Sequence, residues 1–366
     1  MTLSVRLLPD LTPGDGLASA WERLVQGCPE SGFMQSLAWA EVKRAQGLTV
    51  LHAGLFQDDV LIGGALCYTH PQPNGATLLI APEGPVLPWH APDLVMAGLQ
   101  ALIEFLEGQA PAVGAIALRI EPRLAPPRPP VLRGFGRAPI DFVPQLTLYR
   151  DVTGDDAALL AGMRPKGRYN IKVAARHGVQ VVESTDPADA RRLFDLVAQA
   201  GERDDFFVEP PSYFTQIGAS LMPQGMARIL FAEHEGETLG ALLLITYGER
   251  ATYLYGGISN EKRPLMAGYA LQWAAMRRAR ELGCRVYDFF GYEPFGDPNH
   301  MYAGFSRFKR QFGGDAVRFI GAQDRMFIDR LADAVIRAFQ EISPPAGLGN
   351  RGLQAEPAQA GGRAER

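Results

Sequence analysis

The chain has 366 residues, 47% hydrophobic and 21% charged, with 36 Lys plus Arg against 40 Asp plus Glu and a formal net charge of −4. That length sets an expectation of about two domains, with a core large enough to need no disulfide or metal staple. The charge balance excludes a uniformly basic nucleic-acid coat, though not a local basic groove.

The pattern alternates helices and strands. Leu17, Trp21 and Leu24 have helical spacing, and Ser36 suits the N-cap of a helix through Lys43 that ends near Gly47. Strands are expected at Val50 to Phe56 and Val60 to Tyr68, joined at Asp58-Asp59, and again at Ala76 to Ile80. A helix at Ala91 to Glu107 and a short strand at Val113 to Ile120 follow. Pro122, Pro126, Pro127, Pro129 and Pro130 then enforce an extended loop.

Beyond the loop the expected order is a strand at Phe142 to Tyr149, helices at Asp155 to Met163 and Gly167 to His177, and a strand at Val179 to Val182. Helices at Pro187 to Gly201 and Tyr213 to Leu221 come next. Strands at Ala227 to Ala232, Leu239 to Tyr247 and Thr252 to Gly256 lead into a long helix, Pro264 to Leu282. A strand at Cys284 to Phe289, a helix at Tyr302 to Gln311 and a strand at Ala316 to Phe319 complete the pattern. Phe327, Leu331, Val335 and Phe339 then step by four along a last helix, and 344–366 reads as a disordered tail. Each half places paired strands before a long helix and a strand ending in Glu-Pro, at Glu121-Pro122 and Glu293-Pro294. A duplicated α/β unit is the expectation.

Cys28, Cys67 and Cys284 are too few and too far apart for a disulfide framework or a Cys/His cluster, so they read as small buried residues in a reducing compartment. The first sixteen residues lack an apolar core, and the longest apolar runs, such as Leu239 to Tyr247, reach about half of a bilayer span. No signal peptide, no transmembrane segment and a cytoplasmic location are expected.

Two stretches carry chemistry. Arg164, Lys166, Arg168, Lys172 and Arg176 lie between Ala161 and Gln180 with no acidic residue among them, a composition suited to phosphate. The run Gly162 to Arg168 fails as a nucleotide phosphate loop. Arg168 replaces the lysine and Tyr169 the magnesium-binding hydroxyl. In the second stretch, Phe305, Phe308 and Phe312 form an apolar helix stripe with Lys309 and Arg310 between them, and a partly desolvated Lys309 suits a developing oxyanion. Arg263-Pro-Leu-Met-Ala-Gly268, at the start of the long helix, resembles the pyrophosphate loop of GNAT-type acyltransferases, but Met266 stands where a glycine is needed. The histidines have no partner at metal or triad spacing.

The run Gly162 to Gly178 resembles the signature of the Fem family, non-ribosomal aminoacyltransferases that build peptidoglycan interpeptide bridges. Further matches are Phe33-Met-Gln-Ser36 with Trp39 and Lys43, Gly84-Pro85-Val86, Tyr253 to Asn260, Tyr287 to Gly291, and Phe308-Lys309 with Phe312-Gly313-Gly314. The resemblance implies an α/β fold of two tandem GNAT-like domains. The first would hold 1–150 plus 315–343 and bind the precursor; the second would hold 151–314. With no sustained heptad between residues 150 and 315, the chain is similar to members that lack a coiled-coil arm.

The resemblance also implies transfer of an amino acid of the Gly, Ala or Ser type from aminoacyl-tRNA to an amine of the precursor stem peptide. The acceptor would be lipid II or its UDP-linked precursor, the former reached by peripheral contact with the inner membrane face. Lys43, beside Trp39, and Arg168 match positions that bind the precursor diphosphate, with Lys166 joining the substrate-binding set. Tyr255 matches a precursor-binding tyrosine. Lys309, beside Phe308, matches the position contacting the acyl-RNA end and the tetrahedral intermediate. Glu121 stands where the family usually has Asp, near the acceptor amine, and is a candidate base. An aminoacyl ester is already activated, so no cofactor or metal is expected beyond aminoacyl-tRNA as co-substrate. The alternatives are a coenzyme-A-dependent acetyltransferase, which the GNAT-like order favours and Met266 disfavours, and a non-catalytic RNA- or polyanion-binding module.

Overall fold

Two seven-stranded mixed sheets carry the described residues. The computed structural model describes residues 2–327 apart from 9, 10, 12, 13, 74, 299 and 301. The expected last helix and tail lie outside the described residues beyond Phe327.

The first half runs β1 (Leu3–Leu7), α1 (Gly16–Gly27), α2 (Leu37–Ala45), β2 (Val50–Gln57), β3 (Val60–Pro71), β4 (Thr77–Pro82), α3 (Pro92–Val113), β5 (Ala115–Glu121) and β6 (Gly136–Arg137). The second runs β7 (Leu146–Asp151), α4 (Asp156–Ala161), α5 (Pro165–Arg176), β8 (Gln180–Ser184), α6 (Ala190–Asp204), α7 (Pro211–Leu221), β9 (Ala227–His234), β10 (Glu237–Tyr247) and β11 (Arg250–Ile258). It continues with α8 (Ala267–Glu281), β12 (Val286–Asp288), α9 (Ala303–Lys309), β13 (Asp315–Arg318) and β14 (Gln323–Met326).

The sheets share one plan. The first has the order β1-β2-β3-β4-β5-β14-β6 and the second β13-β7-β12-β11-β10-β9-β8. In each, antiparallel strands are followed by a helix that crosses over to a parallel neighbour: α3 from β4 to β5, and α8 from β11 to β12. The Glu-Pro steps Glu121-Pro122 and Glu293-Pro294 fall just after these crossover strands. Among the described residues the longest helix is the 22-residue α3, and no helical arm leaves the second sheet.

The strands assign the chain differently from the expected 150/151 boundary, which falls inside β7. That strand and β13, at 315–318, both belong to the second sheet, where they pair antiparallel. Only β14 returns to the first, beside β5. Its residues are mostly polar, and the Arg119–Asp324 pair, directly opposite in register, fixes it with two bonds of 2.7 and 2.8 Å. A charged strand of this kind has no hydrophobic period to read.

Local chemistry explains most boundaries. The Ser36 hydroxyl caps α2 by accepting the Trp39 N–H at 3.1 Å. Pro165 opens α5, earlier than expected, because proline's fixed φ suits the first helical position. The end of α3 runs past Glu107 through Pro111 and closes on Gly114 at φ +66°, a left-handed position that glycine takes without strain.

The second sheet is covered on both faces. Helices α6 and α7 pack with α2 over Ile229, Phe231 and Leu243. Helices α5 and α8 pack over Leu230, Leu242 and Leu244 on the other side. A bulge in β11 matters for the site. Leu243 pairs with Tyr255 but Leu244 pairs with Tyr253, leaving Leu254 as the extra residue. Residues two apart on a strand ordinarily share a face. Here the bulge sends Tyr255 to the α7 side and Tyr253 to the α8 side.

Candidate functional site

A cleft of about 490 Å³ lies where α2 meets α7 and the bulged strand β11. Lys43, on the last turn of α2, supplies its cation. The side chain is buried, and its Nζ sits 4.7 Å from the Trp39 ring centre, 5.0 Å from Tyr68 and 5.3 Å from Tyr213. Ring faces attract an ammonium while shielding it from water. One donor goes to Gln46 Oε1 at 3.1 Å. Burial brings the Lys43 pKa down to about 8, with Glu209 across the cleft pulling it up. Tyr255 lines the same cleft, its ring 6.0 Å from that of Tyr213. Trp39 keeps a buried indole N–H that has no partner. The expected grouping of Lys43, Trp39 and Tyr255 is therefore present in space.

Lys309 occupies the far side of the gap between β11 and β12. Its Nζ donates to the carbonyls of Phe290 at 3.2 Å and Gly291 at 2.7 Å and stands 5.5 Å from the Tyr253 ring centre. Two of an ammonium's three donors are thus taken by the backbone, leaving one for a ligand. Burial lowers its pKa to about 7, with Asp288 opposing the shift. Phe290 joins the two lysines. Its carbonyl holds Lys309, and the residue lines the Lys43 cleft. It adopts φ +56°, a conformation costly for a bulky side chain and found where function demands it.

Glu121 ends β5 behind the cleft wall. One oxygen accepts the Phe142 N–H at 3.0 Å and the other the Val143 N–H at 2.6 Å, so both are engaged in holding the loop. Burial raises its pKa to about 7, with those two bonds pulling it down. Phe142 itself lines the cleft. The geometry makes Glu121 the anchor of that wall.

Arg168 and Lys166 are not brought to Lys43. They sit at the start of α5, on the face of the second sheet opposite α7. Arg168 donates to the Met163 carbonyl of its own turn. Lys166 and Arg164 instead join Arg307, Arg310 and Phe308 around a shallow groove of about 490 Å³. Gly167 permits this, since a Cβ there would lie 2.4 Å from the Gln311 carbonyl oxygen. The start of the first basic stretch and Arg307 and Arg310 of the second thus share one groove. Phe308 belongs to its wall, packing on Tyr269 and Phe312 at 5.1 and 5.2 Å, and does not accompany the Lys309 ammonium.

Three members of the site gave no signal in the sequence. Tyr68, Tyr213 and Glu209 come from three separate elements or loops of the chain. Asp288, fully buried on β12, binds Arg123. Met266 takes φ +59°, the left-handed turn a glycine would favour, and its N–H is spent on the Arg263 carbonyl at 3.1 Å. Among the described residues no group of three or more His, Cys, Asp or Glu could hold a metal ion. No helix among them is long and apolar enough to cross a membrane.

Residues 18–126 match the FemAB family, and residues 162–310 match the acetyltransferase (GNAT) domain. A lipid II:glycine glycyltransferase of Staphylococcus saprophyticus is 23% identical over 380 residues, covering 83% of this chain and 90% of that protein. The protein of the same name from Staphylococcus haemolyticus is 22% identical over 381 residues with the same coverage. The crystal structure of FemX superposes with a TM-score of 0.78 at 21% identity, over 90% of this chain and 99% of that one. A tandem GNAT protein from clavulanic acid biosynthesis gives 0.55 at 14% identity, over 89% of this chain and 99% of that one. The FemAB match over 18–126, the relatives aligned over 90% of their own length and the tandem GNAT fold together support a FemAB-like acyltransferase of the kind that builds peptidoglycan bridges.

Proposed function

We propose that the protein transfers an amino acid, glycine in the first instance, from aminoacyl-tRNA to an amine of the peptidoglycan precursor stem peptide. The observation that carries this reading is the Lys309 ammonium. It is buried, fixed by two carbonyls, and left with one free donor beside a cleft with its own cation. The relatives named lipid II:glycine glycyltransferases support glycine and a lipid-linked acceptor.

The chemistry needs little apparatus. The acceptor amine, having shed a proton, attacks the ester carbonyl, and a C–N bond forms. The tetrahedral oxyanion collapses, the ester C–O bond breaks, and the ribose hydroxyl leaves with a proton. Lys309 stabilises the oxyanion, a role worth most in a site that excludes water. Lys43 and its aromatic walls hold an anionic part of the acceptor, bringing the amine to the ester by proximity. The proton passes to water or to the leaving oxygen, while Glu121 holds the cleft wall through the Phe142 and Val143 N–H groups. Arg164, Lys166, Arg307 and Arg310 meet the phosphates of the RNA end, with binding that weakens as salt rises. A coenzyme A donor is disfavoured because the Met266 N–H is already used within its own turn.

The test is mass spectrometry of stem peptides from cells with and without the gene. Loss of a bridge residue on deletion supports the reading and identifies donor and acceptor. Unchanged stem peptides contradict it.

A further inference from the structure

A buried chain of charged side chains runs from the Lys43 cleft to Lys309. Glu83, Arg123 and Asp288 are 1%, 5% and 0% exposed. Glu83 follows β4, Arg123 follows β5, and Asp288 ends β12 in the other sheet. At one end, Glu83 Oε2 accepts the N–H of Met34 at 3.0 Å, and Met34 lines the Lys43 cleft. Glu83 Oε1 then takes Arg123 Nη1 at 2.7 Å, and Arg123 Nη2 reaches Asp288 Oδ2 at 2.7 Å. At the other end, Asp288 Oδ1 accepts the Phe290 N–H at 2.8 Å, and the Phe290 carbonyl holds Lys309.

Every link is desolvated, so each charge needs its partner. A Cβ at Gly32 would fall 2.3 Å from either Glu83 oxygen, so the backbone is shaped to admit this carboxylate. Arg123 also stacks 4.7 Å from the Phe319 ring centre and bonds the Tyr149 hydroxyl. A buried ion network that spans both sheets costs more than an apolar contact of the same size unless it fixes geometry.

We propose that Asp288 is a positioning residue for Lys309, setting the ammonium through Phe290 and tying it through Arg123 and Glu83 to the wall of the Lys43 cleft. The proposal rests on the transfer role given to Lys309 above. The groups facing Nζ are Asp288 from β12 and the Tyr253 ring from β11, while Arg310 turns to the Tyr292 hydroxyl at 3.1 Å. Asp288 is thus the carboxylate that favours the protonated lysine.

The experiment compares Asp288→Asn, Glu83→Gln and Lys309→Met in the full chain, using glycyl-tRNA and lipid II as probes, with thermal melts to establish folding. Asn keeps an oxygen for the Phe290 N–H but removes the charge. Its kcat should fall on the order of 10- to 100-fold, and the alkaline limb of the kcat profile should move to lower pH. Glu83→Gln should raise the acceptor KM through Met34 and leave that limb in place. A folded Asp288→Asn with kcat within about twofold of native and an unmoved limb overturns the proposal. If Asp288→Asn does not fold, Thr147→Val removes only the hydroxyl bonded to Oδ1. It should lower kcat with acceptor KM unchanged, and an unchanged kcat overturns the proposal equally. Activity retained in Lys309→Met would instead remove the transfer role itself. An inactive Lys309→Met beside a silent Asp288→Asn would remove the positioning role alone.

Discussion

The Phe290 carbonyl accepts the Lys309 ammonium at 3.2 Å, and Phe290 also forms part of the cleft around Lys43. One residue in a left-handed conformation therefore spans the gap between the two cations. The separation of β11 and β12 beyond Asp288 makes room for it, since these parallel strands pair only over Arg250 to Thr252.

Lys309→Met removes the oxyanion donor while keeping the length and apolar body of the side chain. Turnover should fall by about two to three orders of magnitude, as for loss of a single oxyanion-hole donor. Acceptor KM should stay near the native value. Steady-state kinetics with both substrates varied checks this split.

The lysine pKa values give a pH signature. Lys309 titrates at about 7 in the folded protein and near 10.4 when unfolded. The charged form stabilises the oxyanion, so kcat should decline as pH rises through about 7. Stability moves the other way. The unfolded chain binds more protons between these values, so the contribution of this group is fully present above the unfolded pKa and is lost as pH falls towards about 7. Melting temperatures of native protein and Lys309→Met should converge or cross as pH is raised from 7 to 10, the native protein gaining relative to the variant.

Lys43→Met and Arg168→Met should separate. Lys43 lies in the cleft, so its loss should raise acceptor KM by about tenfold or more with a smaller change in kcat. Arg168 lies with α5 on the other face of the sheet, so its loss should leave acceptor KM alone. Lys166→Met should weaken aminoacyl-tRNA binding and flatten its salt dependence. Titrations at several salt concentrations measure both effects.

Gly167→Val tests the joint between α5 and the turn after Lys309. The new Cβ would meet the Gln311 carbonyl oxygen at 2.4 Å, a backbone atom with little room to yield. A destabilisation of about 1–3 kcal/mol is expected, the usual cost of overpacking, read by denaturant unfolding.

Much of this was legible in the sequence. The strand pairs, the crossover helices and the cap at Ser36 rest on periodicity and local hydrogen bonding, which short windows contain. Lys43, Trp39, Tyr255 and Lys309 stood out because they sit within motif-bearing stretches. What escaped notice depends on contacts distant in sequence. Strand β14 is held by Arg119 and Asp324 across 205 residues, and Arg123 meets Asp288 across 165. The resemblance groups Arg168 with Lys43, whereas α5 lies on the opposite face of the second sheet from α7 and the Lys43 cleft. The bulge at Leu254 likewise reverses a side-chain alternation that a strict two-residue period would have continued.

The central claim is that the donor is an aminoacyl-tRNA. The direct measurement is incorporation of labelled glycine from charged tRNA into lipid II by the purified full chain. Parallel reactions are pretreated with ribonuclease or supplied with coenzyme A thioesters. Incorporation that ribonuclease abolishes and that thioesters do not restore is the expected result. Transfer that survives ribonuclease, or that runs on acetyl-coenzyme A alone, would contradict the account.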